Sequence, residues 1–211
     1  MNRPWRAGRA WLALEFLLLY GGGPLLILGL RRAGVLFVLL WVGAAVAFAS
    51  LRRVRVEPHD ARRELRAIGL RFAVLAPLIA FVTWWFWPAT FLILPRQHPR
   101  FWLLIMVLYP VLSVWPQEML YRAFLFTRYR PLLRRSGALI AASAVAFGFA
   151  HVIFLNPVAV VMTLLGGLLF AIDYDRHRSL RLTCLEHSLY GCLIFTLGLG
   201  RFFYTGAAWH H

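Results

Sequence analysis

Apolar residues in this chain come in long runs, without the alternation of a strand or the single stripe of a water-facing helix. Seven stretches, residues 11–30, 33–51, 70–94, 101–127, 137–155, 157–173 and 182–204, approach or reach the length of a membrane-crossing helix. Such a helix needs about 20 mostly apolar residues. The pattern predicts an all-α polytopic membrane bundle of about seven transmembrane helices, with six to eight compatible with it. The first two runs are separated by Arg31 and Arg32 alone and read as a helical hairpin. The polar stretch 52–69 reads as a surface helix or loop at the lipid headgroups. The glycines at 21–23, followed by Pro24, read as a kink or a close helix contact.

Composition makes the membrane reading firm. The chain has 211 residues, of which 61% are hydrophobic and 15% charged, with a mean hydropathy of +0.69. Soluble domains carry about 45–50% apolar and about 25% charged residues, so a water-soluble enzyme, a disordered chain and a disulfide scaffold are excluded. Cys184 and Cys192 fit neither a CxxC motif nor a zinc-ligand spacing and read as small buried hydrophobes.

The net charge of +15 at first points to nucleic acid, but all 23 basic residues are arginine and their positions follow the runs. With a cytoplasmic N-terminus and seven alternating spans, 17 of the 23 fall in inside segments, five in outside segments, and Arg122 within a span. That asymmetry is the positive-inside rule. It predicts a multi-pass protein of the cell (inner) membrane with its N-terminus in the cytoplasm, and it leaves no charge that requires nucleic acid. The first run lacks an A-x-A cleavage site and reads as a retained span, not a signal peptide. Trp5, Trp11, Trp102, Trp115 and Trp209 fall near the proposed span ends, where interfacial aromatics belong.

Ionisable groups inside spans are costly and mark function by default. Here they are Glu15, Glu118, Arg122, His151, Asp173, Glu186, His187 and Arg201. Asp173 and Arg201 are close enough to span ends to snorkel to the headgroups, and Glu15 reads as the partner of a nearby arginine. Glu118 and Arg122, four apart, share a helix face and can pair. One carboxylate and two imidazoles on three separate apolar helices point to a shared interior site. Such a set can activate water for hydrolysis or hold a single zinc ion, and both remain open from the residues alone. At about 1.5 Å per residue, Glu118 lies roughly 15 Å from Arg128, His151 about 21 Å beyond Gly137 and His187 about 9 Å beyond Arg181. That spread is about 12 Å, which tilt and kinks at Pro110 and Pro116 must close. A proton-coupled transporter would also explain intramembrane Glu and His, but the half-repeats it predicts are not visible.

Three segments carry a resemblance. Gln117-Glu118-Met119-Leu120-Tyr121-Arg122, Phe147-Gly148-Phe149-Ala150-His151 and Glu186-His187-Ser188-Leu189-Tyr190-Gly191 resemble the EExxxR, FxxxH and HxxxN motifs of the CPBP intramembrane proteases. That family comprises the CAAX prenyl endopeptidases and the bacteriocin-processing or immunity (ABI) proteins. The resemblance spans about residues 100–205 of a single membrane domain, leaving residues 1–99 as N-terminal helices of unassigned role.

The resemblance implies an intramembrane endopeptidase acting on membrane-associated proteins or peptides. His151 would help activate water, His187 would stabilise the developing charge, and Arg122 would lock Glu118 in place. Two positions depart from the pattern: the first acid is Gln117 and the Asn is Gly191. Either Glu118 serves as the base, assisted by Glu186, or the chain is a non-catalytic scaffold or immunity protein on the same fold. The expected catalytic set is therefore Glu118, His151, His187, Arg122 and Glu186, with a peptide substrate and the bilayer as partners. Cofactor content is either none or a single zinc, and the sequence leaves oligomeric state open.

Overall fold

A computed structural model describes residues 8–51 and 61–203. Among these residues the chain is entirely helical. Six helices are long and apolar enough to cross a membrane: α1 (Arg9–Leu30), α2 (Ala33–Leu51), α3 (Ala61–Phe86), α4 (Pro99–Arg128), α5 (Ser136–Phe154) and α6 (Pro157–His177). A seventh, α7 (Leu180–Leu197), is less apolar because it carries Arg181, Glu186 and His187. Large hydrophobic side chains such as Leu18, Val74, Trp85 and Val107 are exposed on the helix surfaces, as lipid-facing positions are.

Turn chemistry follows the sequence closely. Arg31, Leu155 and Arg178 adopt left-handed backbone conformations and end α1, α5 and α6 in tight turns. Asn156 caps α6, its Oδ1 accepting from the backbone N–H of Val158 at 2.9 Å, with Pro157 at the first helical position, where its missing N–H costs nothing. Ser179 caps α7 through the N–H of Leu182.

Some span boundaries differ from expectation. Residues 52–60 of the polar stretch lie outside the described residues, but from Ala61 onward the stretch is the first two turns of α3. At 26 residues and about 1.5 Å rise each, α3 exceeds the roughly 30 Å hydrocarbon core. Its arginine-rich start therefore extends beyond the apolar layer. The proposed run to residue 204 likewise ends at Leu197, where Gly198 turns the chain at φ +93°.

Three wide π-helical turns interrupt the long helices, at Leu18–Gly22 in α1 and at Pro110–Val114 and Met119–Phe124 in α4. Wide turns leave backbone carbonyls without their usual partner, and in a membrane each must be satisfied internally. The bundle supplies the donors from neighbouring helices. Trp41 Nε1 of α2 donates to the Leu112 carbonyl at 3.1 Å. The Tyr20 hydroxyl of α1 donates to the Leu120 carbonyl at 2.8 Å, and the Ser143 hydroxyl of α5 to that of Tyr121 at 2.7 Å. Glu15 of α1 accepts from Arg128 Nε at 2.9 Å, from its Nη2 at 2.6 Å and from the Tyr129 hydroxyl at 3.0 Å. Thus the N-terminal hairpin braces the irregular turns of α4, and Glu15 is the arginine-paired carboxylate that the sequence pattern predicts.

α5 and α6 approach closely through small residues. A Cβ on Gly148 would lie 3.1 Å from Leu164 Cβ, and one on Gly167 would lie 3.1 Å from Phe147 Cδ1. That contact brings Phe147 and the Gly167 carbonyl against α4.

Candidate active site

The second wide turn of α4 begins directly after Glu118 and contains Arg122. Both side chains are fully buried, with Arg122 Nε 3.2 Å from Glu118 Oε2. An arginine without water needs several partners, because its charge cannot be discharged by deprotonation. Besides Glu118, the Arg122 guanidinium lies 4.4 Å from the Phe147 ring centre and 5.5 Å from that of Phe170. Its Nη2 also donates to the Gly167 carbonyl at 3.3 Å. Two aromatic faces and a carbonyl thus hold the cation beside its carboxylate.

The other carboxylate oxygen, Glu118 Oε1, is 2.7 Å from His187 Nδ1. A carboxylate only accepts, so this contact places a proton on His187 Nδ1. Its second nitrogen, Nε2, is 3.1 Å from the Tyr109 hydroxyl. In the neutral imidazole that nitrogen accepts, and the phenol donates. Phe170 stacks on the His187 ring with centroids 4.9 Å apart and planes 22° apart, and Phe147 meets it edge-on at 5.5 Å. The result is a continuous chain, Arg122–Glu118–His187–Tyr109, across α4 and α7. The depth mismatch read from the sequence is thus closed for Glu118 and His187, which touch.

His151 stands apart from this chain. It is the first residue of the tight final turn of α5 and shares no hydrogen bond with Glu118 or His187. Phe147 connects the two imidazoles, its ring centre 4.7 Å from that of His151 and 5.5 Å from that of His187. The two histidines are therefore separated by at most the sum of those distances. His151 Nδ1 lies 2.7 Å from the Phe147 carbonyl. A carbonyl can only accept, so Nδ1 carries the proton and the neutral ring presents its lone pair on Nε2.

Glu186 does not join the set in which the sequence places it. Successive residues on a helix point about 100° apart, so Glu186 leaves α7 on a different side from His187. It is fully buried against α3, where Arg71 Nε donates to its Oε1 at 3.0 Å. The same arginine pairs with Asp173 of α6, and Arg176 bridges Asp173 Oδ1, 3.3 Å away, to Glu64. Asp173 is only 1% exposed, so it is a buried bridge and not a snorkelling group: two arginines within reach remove its need for headgroups. Arg201 does remain exposed, its guanidinium over the Phe202 and Trp87 rings.

Gln117, at the first acidic position of the motif, turns its amide Nε2 to the Ser113 hydroxyl at 2.8 Å. Among the described residues no three His, Cys, Asp or Glu side chains are grouped as a metal would require. Both ring nitrogens of His187 already have protein partners, so a zinc ion there would have to displace Glu118 or Tyr109. Cys184 and Cys192 are free and half-buried. Tyr109 and Phe170 are the members of the site that sequence patterns miss. Phe147 was visible only through its spacing to His151.

Comparison with known proteins bears on this part of the chain. Residues 99–193 match the family model described as Type II CAAX prenyl endopeptidase Rce1-like. The match takes in α4, α5, α6 and most of α7, and leaves out the α1–α3 helices. No curated protein and no solved structure matches the chain.

Proposed function

Residues 99–193 are a domain of the Rce1-like type II CAAX prenyl endopeptidase (CPBP) family, and from that premise we propose that the chain is an intramembrane endopeptidase. It hydrolyses peptide bonds of membrane-associated proteins or peptides, with its N-terminus in the cytoplasm. The observation that carries the reading is the buried carboxylate–imidazole–hydroxyl chain of Glu118, His187 and Tyr109. Structural packing alone would be served by apolar residues, since a buried ionic group gains little net stability. A carboxylate that fixes an imidazole in one tautomer is instead the arrangement that proton transfer uses.

In this reading Glu118 orients and does not itself take the proton: its Oε1 is engaged by His187 Nδ1, and the Arg122 guanidinium 3.2 Å from Oε2 holds it as the anion. His151 is the base: its Nε2 lone pair accepts a proton from water as the oxygen adds to the peptide carbonyl carbon. The carbonyl becomes an oxyanion beside the His187–Tyr109 pair, which offers it the phenol hydrogen when His187 is protonated and its Nε2–H donates to the phenol oxygen. Collapse of the tetrahedral adduct breaks the C–N bond, and the proton held by His151 passes to the leaving amine. Arg122 keeps the local charge near zero. Glu186 takes no part in the proton transfers.

The test is cleavage of a quenched peptide library by the purified protein in detergent, in water enriched in heavy oxygen. Incorporation of one heavy oxygen into the new carboxyl terminus is expected, with loss of cleavage in His151→Ala and His187→Ala. A wild-type protein that cleaves nothing would favour the scaffold reading, for which the replacement of the first acid by Gln117 is the supporting observation. Cleavage that survives both histidine substitutions would overturn the site.

A further inference from the structure

Gly191 lies one turn after His187 on α7, and a side chain there has no room. A Cβ built on it would lie 2.2 Å from Tyr109 Cε1, 2.4 Å from the Tyr109 hydroxyl and 2.6 Å from Cζ. No side chain can stand that close, so the phenol ring occupies the space that residue 191 would otherwise fill. The same hydroxyl is 3.1 Å from His187 Nε2. Tyr109 reaches this place because it sits immediately before Pro110, where α4 widens into its first π-helical turn, and because Phe195 packs edge-on against its ring at 5.2 Å.

We propose that Gly191 is a deliberate opening for the Tyr109 phenol, and that Tyr109 is a positioning and donor residue of the site, its O–H direction set by the protonation of His187. With His187 neutral, Tyr109 donates to Nε2 and holds the proton of the ring on Nδ1 against Glu118. With His187 protonated, Nε2–H donates to the phenol oxygen, and the phenol hydrogen turns outward to a substrate carbonyl. The hydroxyl thereby passes the charge of the imidazole to the substrate without moving the ring, which Phe170 and Phe147 hold in place. No bond to carbon is made or broken by Tyr109, and no proton is lost from the pair.

The kinetic half of this inference rests on the endopeptidase reading, whereas the structural half does not, so they are measured separately. In the full-length protein with nitrogen-labelled histidine, in lipid nanodiscs, wild-type His187 is expected to show Nδ1 protonated and Nε2 as a hydrogen-bonded acceptor. Tyr109→Phe keeps the ring and the packing; it should shift the Nε2 resonance of His187 and leave that of His151 unchanged. Gly191→Ala should shift the same resonance by pushing the phenol out. In the cleavage assay Tyr109→Phe should lower kcat by about a hundredfold to a thousandfold with KM little changed. A His187 spectrum unaltered in Tyr109→Phe would overturn the inference whether or not the protein cleaves peptides. An altered spectrum with unaltered kcat would overturn the donor role. Absence of cleavage by wild type would instead count against the endopeptidase reading, leaving the spectral result to decide the Tyr109–His187 contact.

Discussion

Glu118 and Glu186 are both fully buried carboxylates, and His187 and Glu186 are neighbours in the chain, yet the two regions they build differ in kind. Glu118 meets an imidazole, whose two ring nitrogens can each donate or accept. Glu186 meets the guanidinium of Arg71, which never gives up its proton in a protein. The first region lies between α4 and α7 with its charge shielded by aromatic rings. The second ties α3 to α6 and α7 through Arg71 and Arg176, which remain 25% and 47% exposed. Ionic groups inside a membrane protein thus serve two ends, and the partner decides which. A carboxylate held by arginines alone can only hold helices together, whereas Glu118, which has a histidine beside its arginine, can also fix where the imidazole carries its proton.

This contrast can be broken by substitution. Glu118→Ala would leave Arg122 buried with only a carbonyl and ring faces. Removing one member of a buried pair costs about 3–5 kcal/mol, so reversible unfolding in detergent should show the largest loss of stability for this variant. Preservation of wild-type stability would mean that Arg122 reaches water. Glu186→Gln keeps a hydrogen-bond acceptor for Arg71 but removes the charge, and a loss of about 1–3 kcal/mol is expected; an unchanged midpoint would show that the second cluster does not clamp α3. Arg176→Ala removes a half-exposed arginine whose surface pairs contribute about 0–1 kcal/mol. A larger loss there would move the anchor of the cluster from Arg71 to Arg176.

Much of this arrangement was legible in the sequence, for reasons that are particular to each residue. The hairpin at Arg31 and Arg32, the six long helices and the Glu118–Arg122 pairing follow from run length and from the four-residue spacing on one helix face. The start of α3 was hidden because its first two turns are as polar as a loop. Asp173 looked like a snorkelling group because its partner Arg71 is 102 residues away and no local pattern joins them. Glu186 looked like part of the site because it adjoins His187, although the helix turns the two in different directions. Tyr109 left no signal at all: its role exists only because Gly191 is empty and the two meet across 82 positions. His151 is visible as an ionisable group inside a span and by its motif, but the Phe147 ring that stands between it and His187 is not placed by sequence spacing.

The central claim is that the proton-directing carboxylate is Glu118 and the helix-clamping one is Glu186. It is tested most directly by kcat of Glu118→Gln and Glu186→Gln in the same peptide assay, each at a temperature well below its own unfolding midpoint. Glu118→Gln should lose about a hundredfold or more, since an amide no longer fixes the His187 tautomer as a carboxylate does. Glu186→Gln should stay within a few-fold of wild type. A Glu186→Gln variant that is folded and inactive, beside a Glu118→Gln variant that still cleaves, would contradict the assignment.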